Sequence, residues 1–134
     1  MKSDVAVRVL LVDDDQLFCQ NAVRLLAGEG VRADFVLSGE DCLQRVQEEE
    51  FDVLVLDQKM PGLSGTETLR LLRENNCTAE VLLLTGHASV GDACDGTRLN
   101  AADYLLKPVS MAVLAAKIIG VYERKQEKER QIPD

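Results

Sequence analysis

Histidine occurs once, at His87, which excludes a metal centre built from several imidazoles and leaves a residue read as belonging to a loop. The four cysteines, Cys19, Cys42, Cys77 and Cys94, stand far apart with no C-x-x-C pair. That spacing excludes a compact zinc or dithiol motif and suits reduced, apolar side chains packed on helices. No apolar run approaches the roughly 20 residues of a membrane span, and the N-terminus lacks the pattern of a signal peptide, so a cytoplasmic protein is expected. Basic residues are outnumbered, 15 against 23 acidic, for a formal charge of −8 and a pI near 4.7. Nothing in that balance favours direct binding to nucleic acid or to an anionic membrane.

What is present is an ordinary folded composition: 134 residues, 46% hydrophobic and 28% charged, enough for one domain with a buried core. The informative stretch is Phe51-Asp52-Val53-Leu54-Val55-Leu56-Asp57, followed at once by Gln58-Lys59-Met60-Pro61-Gly62. An apolar run of strand length that breaks into a Pro-Gly turn reads as a buried strand delivering one acid, Asp57, to its C-terminal edge. Three more strands end in polar groups. Val7 to Val12 runs into Asp13-Asp14-Asp15, Glu80 to Leu84 into Thr85-Gly86, and Asp103 to Leu106 into Lys107-Pro108.

Helical patterns separate these strands. Asp15 is placed to cap a helix through about Ala27, with Phe18, Ala22, Leu25 and Leu26 expected inward. Val31 to Val36 alternates as an edge strand. Ser38 opens a second helix with Cys42, Leu43 and Val46 inward, ending in a solvated Glu48-Glu49-Glu50 run. Ser64-x-x-Glu67 is a capping-box signature for a third, running to about Asn75 with Leu69 and Leu72 on its inner face. A fourth helix, weakened by Gly91 and Gly96, is expected between 88 and 99 and closed by Asn100. A fifth begins near Ser110 with Val113, Leu114, Ile118 and Ile119 inward. Strand and helix thus alternate five times, which predicts an α/β, three-layer, flavodoxin-like (βα)5 fold with a five-stranded parallel sheet in the order 2-1-3-4-5. The switch point of that order falls between the first and third strands, where Asp13, Asp14 and Asp57 meet.

Carboxylates converging on one rim repel each other unless a cation sits among them, and all-oxygen ligation points to Mg²⁺. Asp14 and Asp57 are the expected direct ligands, with Asp13 acting through water and the Lys59 backbone carbonyl filling another position. A metal-bound carboxylate can attack phosphorus and form an aspartyl phosphate, with Lys107 and Thr85 as donors to the phosphoryl oxygens. Lys107-Pro108 is a candidate cis bond that would aim the lysine into the site.

Asp13-Asp14, Asp57 with its Met60-Pro61-Gly62 turn, Thr85-Gly86 and Lys107-Pro108 together resemble the signature of the receiver (phosphoacceptor) domain of a two-component response regulator, over about residues 7 to 121. The resemblance implies that Asp57 accepts a phosphoryl group from a phosphohistidine on a sensor histidine kinase or a phosphotransfer protein, with Mg²⁺ required. It also implies that the domain catalyses its own phosphorylation and its dephosphorylation by water while serving mainly as a signalling domain. Thr85 and Tyr104 would be the switch residues, altering the surface of the fourth helix, fifth strand and fifth helix, a face that also suits a homodimer. Lys59 and His87, each two residues beyond a site residue, would tune the hydrolysis rate.

Two other classes fit parts of the pattern. A haloacid-dehalogenase-like phosphatase would make Asp13 the covalent site, but the chain is short for one and Leu17 stands where Thr or Val is expected. A protein-binding module with a vestigial site would keep the fold and lose the chemistry. Residues 1–121 are read as the receiver domain and 122–134 as a charged helical extension or linker toward a fused or separate effector.

Overall fold

The structure, a computed structural model, describes residues 7–86 and 101–131, with side chains described as far as residue 129. His87, Cys94, Asn100 and the helix expected between 88 and 99 lie outside the described residues. Five strands, β1 (Val7–Val12), β2 (Val31–Val36), β3 (Val53–Asp57), β4 (Glu80–Thr85) and β5 (Asp103–Leu106), form one parallel sheet in the order β2-β1-β3-β4-β5. Helices α1 (Gln16–Ala27), α2 (Gly39–Glu48) and α3 (Gly65–Glu74) follow the first three strands, and α4 (Met111–Gln131), the fifth in the sequence reading, follows β5.

The strand alternation sorts the core into two layers. Val9, Leu11, Val53, Val55, Leu82 and Leu84 pack against Ala22 and Leu26 of α1 and Leu114 and Ile118 of α4. The intervening residues Leu10, Val12, Leu54, Leu56, Val81 and Leu83 pack against Cys42 of α2 and Leu69 and Leu72 of α3. Both faces are therefore covered, and the central strands read as continuous apolar runs for that reason. Each fully buried leucine contributes about 1.5–3 kcal/mol relative to exposure.

Local signals behave as their chemistry dictates. Asp15 caps α1 by accepting from Phe18 N–H at 3.1 Å, and Ser38 caps α2 by accepting from Asp41 N–H at 3.1 Å. At α3 the capping box is complete: Ser64 Oγ accepts from Glu67 N–H at 3.1 Å and Glu67 Oε1 from Ser64 N–H at 2.9 Å. Lys107–Pro108 is cis.

Some expectations need correction. Leu25 is 49% exposed and Val113 52% exposed. In α1 the buried side chains are Cys19, Ala22 and Leu26, and at 100° per residue Leu25 lies roughly 90° from the middle of that face. The buried face of α4 is set by Leu114, Ala115, Ile118 and Val121, which turns Val113 outward. Cys19 and Cys42 are buried on helices, but Cys77 lies in the loop after α3. The Glu48-Glu49-Glu50 run is more than a solvated end: Glu49 pairs with Arg8 at 2.8 Å and Arg45 at 3.1 Å. Both guanidinium groups lie over the Phe51 ring, 5.3 and 5.8 Å from its centroid.

Candidate phosphoryl-transfer site

Register brings the site together. Val12 pairs with Leu56 and Thr85 with Leu106, so Asp13, Asp57, Thr85 and Lys107 all fall at the C-terminal ends of neighbouring strands. Alternation then sorts them: Asp13 and Asp57 continue the side of Leu11 and Val55, and Lys107 the side of Leu105, all residues of the layer under α1 and α4.

Lys107 Nζ donates to Asp13 Oδ2 at 2.9 Å and contacts Asp57 Oδ1 at 3.1 Å. Its ammonium also sits 5.2 Å from the centre of the Phe18 ring, within cation–π range. The second oxygen of Asp13 accepts from Asp15 N–H at 2.9 Å. The acidic triplet is thereby divided among three tasks: Asp15 caps α1, Asp13 is 2% exposed and anchors the lysine, and Asp14 is exposed at the mouth. Carboxylate oxygens of Asp13, Asp14 and Asp57 lie within 4.8 Å of one another.

The electrostatics follow from crowding. Asp57 is 5% exposed, and its carboxyl is pushed above the usual range by burial first and by Asp13 next, with Lys107 opposing. Burial is the largest influence on Lys107 and acts downward, but its bonds to Asp13 and Asp57 outweigh it and hold the ammonium above its ordinary value. The Cys19 thiol, 3.5 Å from the Asp13 carbonyl oxygen to which it donates, is pushed up to about 12 by burial and then by Asp13 and Asp15, so it is no nucleophile here.

The turn beyond Asp57 is held by a residue the sequence reading passed over. Gln58 N–H donates to Leu84 O at 2.8 Å, Gln58 O accepts from Gly65 N–H at 3.1 Å, and Gln58 Oε1 accepts from both the N–H and the hydroxyl of Thr66 at 2.8 Å. The loop carrying Lys59 is thus pinned at both ends. Lys59 itself is exposed. Gly65 approaches closely: a Cβ there would stand 2.7 Å from Asp57 O. Thr85 is half-buried, and its carbonyl accepts from Lys107 N–H at 2.8 Å. Tyr104 is half-buried on β5, packed against the layer under α2 and α3. No sequence signal marked Phe18 or Gln58 as site-shaping, whereas Gly65, directly after the capping Ser64, could have been found from the close packing a helix start there requires.

Three carboxylates against one ammonium leave an excess of negative charge, and the donors are hard oxygens with one acid exposed to solvent. That set fits Mg²⁺, which uses one or two carboxylates and keeps water. Among the described residues, no helix is long and apolar enough to cross a membrane.

A buried strand-end acid, an acidic pair beside it and a lysine just past the fifth strand on a 2-1-3-4-5 sheet define a receiver-like α/β module. The family model for the response regulator receiver domain matches residues 9–119, and the chain belongs to that family. Receiver domains generally bind Mg²⁺ at such an acidic pocket. The chain is 34% identical over 118 residues to the transcriptional regulatory protein CutR of Streptomyces coelicolor, covering 88% of this chain and 54% of that protein. It is 35% identical over 124 residues to the transcriptional regulatory protein TrcR of Mycobacterium tuberculosis, covering 92% and 48%. The chain therefore spans about half the length of these curated relatives. Among solved structures, the CheY-like response regulator receiver domain protein of Methanospirillum hungatei superposes with a TM-score of 0.87 at 25% identity, over 92% of this chain and 99% of that one. Membership of this family supports phosphorylation-dependent signalling.

Proposed function

We propose that Asp57 is the phosphoacceptor of a cytoplasmic signalling switch, charged by a phosphohistidine on a sensor histidine kinase or a phosphotransfer protein. The observation that carries this is the placement of the Asp57 carboxylate, 3.1 Å from Lys107 Nζ and within 4.8 Å of the Asp13 and Asp14 oxygens. An Asp57 oxygen attacks phosphorus, the phosphorus–nitrogen bond breaks, and the imidazole leaves with the electron pair. Lys107 and Thr85 donate to the transferred oxygens. Asp13, Asp14 and Asp57, with the Lys59 carbonyl, would hold Mg²⁺, which supplies positive charge to the developing phosphoryl oxygens. Water later attacks the same phosphorus, releasing inorganic phosphate and restoring the carboxylate.

The new dianion biases two nearby conformations of the domain, read out through Thr85 and Tyr104. The apolar side chains of Leu106 and Val113, 57% and 52% exposed on β5 and α4, support a homodimer contact on that face. We place the receiver unit's end near residue 121, since Val121 is the last buried residue described on α4, and read 122–134 as the connector to an effector.

The test is treatment with acetyl phosphate and Mg²⁺ followed by peptide mass spectrometry. A phosphoryl adduct on the Asp57 peptide, absent in Asp57→Asn, is expected. An adduct on Asp13, or a chain that neither takes label nor binds beryllofluoride, overturns the reading.

A further inference from the structure

We propose that a basic groove on the edge of the sheet opposite the phosphoryl-transfer site binds an acidic peptide segment of a partner protein. The groove, about 620 Å³, lies at the N-terminal ends of β4 and β5, between the far half of α4 and the loop that enters β4. Arg73, Arg124, Lys125 and Lys128 line it, with Glu80 as the single carboxylate among its described lining residues. In a chain of net charge −8 this is a local inversion of sign. Arg124, Lys125 and Lys128, from a stretch the sequence presents as a merely solvated extension, stand on one wall.

Two features make this a formed site rather than a scatter of lysines. First, the helical wall is in phase: Val121, Arg124, Lys125 and Lys128 follow the i, i+3, i+4, i+7 spacing of one face. Second, the opposite wall is fixed by the cations themselves. Arg73 donates to the carbonyls of Cys77 at 2.9 Å and Ala79 at 3.0 Å, and Lys125 Nζ donates to the carbonyl of Thr78 at 3.2 Å. Those bonds hold Arg73 and Lys125 against the loop that enters β4. Arg124 also feels Asp103, which is itself paired with Lys117 at 2.7 Å.

The shape selects the occupant. The seven residue steps from Val121 to Lys128 give a wall of about 10 Å, the length of roughly three extended residues. A lone phosphate fills only a small part of such an opening. A long polyanion such as nucleic acid gains at the groove and is repelled by the net-negative remainder of the chain. A short segment with two or three carboxylates meets the local charge alone.

Fluorescence anisotropy with a labelled glutamate-rich hexapeptide tests the assignment at about 0.01 M and about 0.15 M ionic strength, where screening differs strongly. Wild type should bind, more weakly at the higher salt. Arg124→Ala/Lys128→Ala should bind roughly three- to tenfold more weakly, as expected for two partly exposed charge contacts. Arg24→Ala/Arg70→Ala, which removes equal charge from α1 and α3, should match wild type. Both doubles should still take a phosphoryl group, so the result stands apart from the fate of the Asp57 reading. Equal weakening by the two doubles, no binding by wild type, or an oligonucleotide of similar length binding as tightly would overturn the proposal. So would self-association of wild type that the Arg124/Lys128 double abolishes, since the groove would then join two copies of this chain.

Discussion

Two buried carboxylates hold Lys107 at once, 2.9 Å from Asp13 and 3.1 Å from Asp57, and that double hold sets what its removal should do. Lys107→Ala deletes a charge-assisted hydrogen bond, a contribution of about 1.5–3 kcal/mol, from the groups facing the incoming phosphoryl. Phosphoryl uptake from a small donor, followed by mass spectrometry, should slow at least about tenfold while the label still lands on Asp57. Uptake at the wild-type rate would show that the ammonium does not face the reacting oxygens. Lys59 belongs to the same scale but to the later hydrolysis step. It is exposed in the turn two residues past Asp57, where it can crowd an attacking water without touching the acid's own placement. Lys59→Asn is expected to change the decay time in a phosphate-release assay and leave phosphorylation intact; an unchanged decay time counts against that role.

At the scale of elements, the start of α3 is coupled to the acid it follows. Gly65 packs so closely on the end of β3 that a methyl group would meet Asp57 O at 2.7 Å and Gln58 Cα at 3.0 Å, both backbone-borne. Neither neighbour is the flexible end of a side chain, so Gly65→Ala must displace the helix or the acid-bearing turn. A cost of about 1–3 kcal/mol, the usual range for overpacking, should appear in urea denaturation together with slowed phosphoryl uptake at temperatures where the variant is folded. Leu69→Ala, by contrast, opens a cavity in the layer under α2 and α3 and should cost about 2–5 kcal/mol without slowing uptake by the folded fraction. This contrast also shows what the sequence could and could not reveal. Strand ends are legible because a parallel sheet gathers its chemistry at one edge, so Asp13, Asp57 and Lys107 could be brought together from spacing alone. The capping box at Ser64 and Glu67 is legible because it is local. Leu25 and Val113 were misplaced because a helical stripe can be read one position round when several apolar residues compete for it. The bridge from Gln58 to Thr66 depends on how a loop closes on itself, and no periodicity encodes that.

Over the whole molecule, ionisable groups pull stability in opposite directions as pH changes. Burial is the largest influence on both Asp34 and Asp103 and acts upward. Arg45 and the Phe35 N–H at Asp34, and Lys117 and the Tyr104 N–H at Asp103, overcome it and hold both carboxyls below the usual range. Their contribution is present above the unfolded value of about 3.9 and is lost as pH falls through the lower folded values. Asp57 has the reverse sign. Its folded-state pKa is raised, so the native state holds the proton longer than the unfolded chain, and stability drops as pH rises from about 4 through the folded value. Above the folded value the ionised acid therefore weighs against the fold that positions it. In chelator-treated buffer, Asp57→Asn should melt at a higher temperature than wild type, with the gap narrowing below about pH 4, where both side chains are neutral. Mg²⁺ should work the other way. A ligand at a hundred times its dissociation constant stabilises the state that binds it by about 2.7 kcal/mol. Wild type should gain more from a given Mg²⁺ concentration than a variant that has lost one of the three clustered carboxylates. Calorimetric scans with and without Mg²⁺ read both effects. Equal Mg²⁺ shifts in the two proteins would mean that the cluster is not a cation site, and a variant that melts below wild type without metal would mean that the ionised Asp57 does not destabilise the fold.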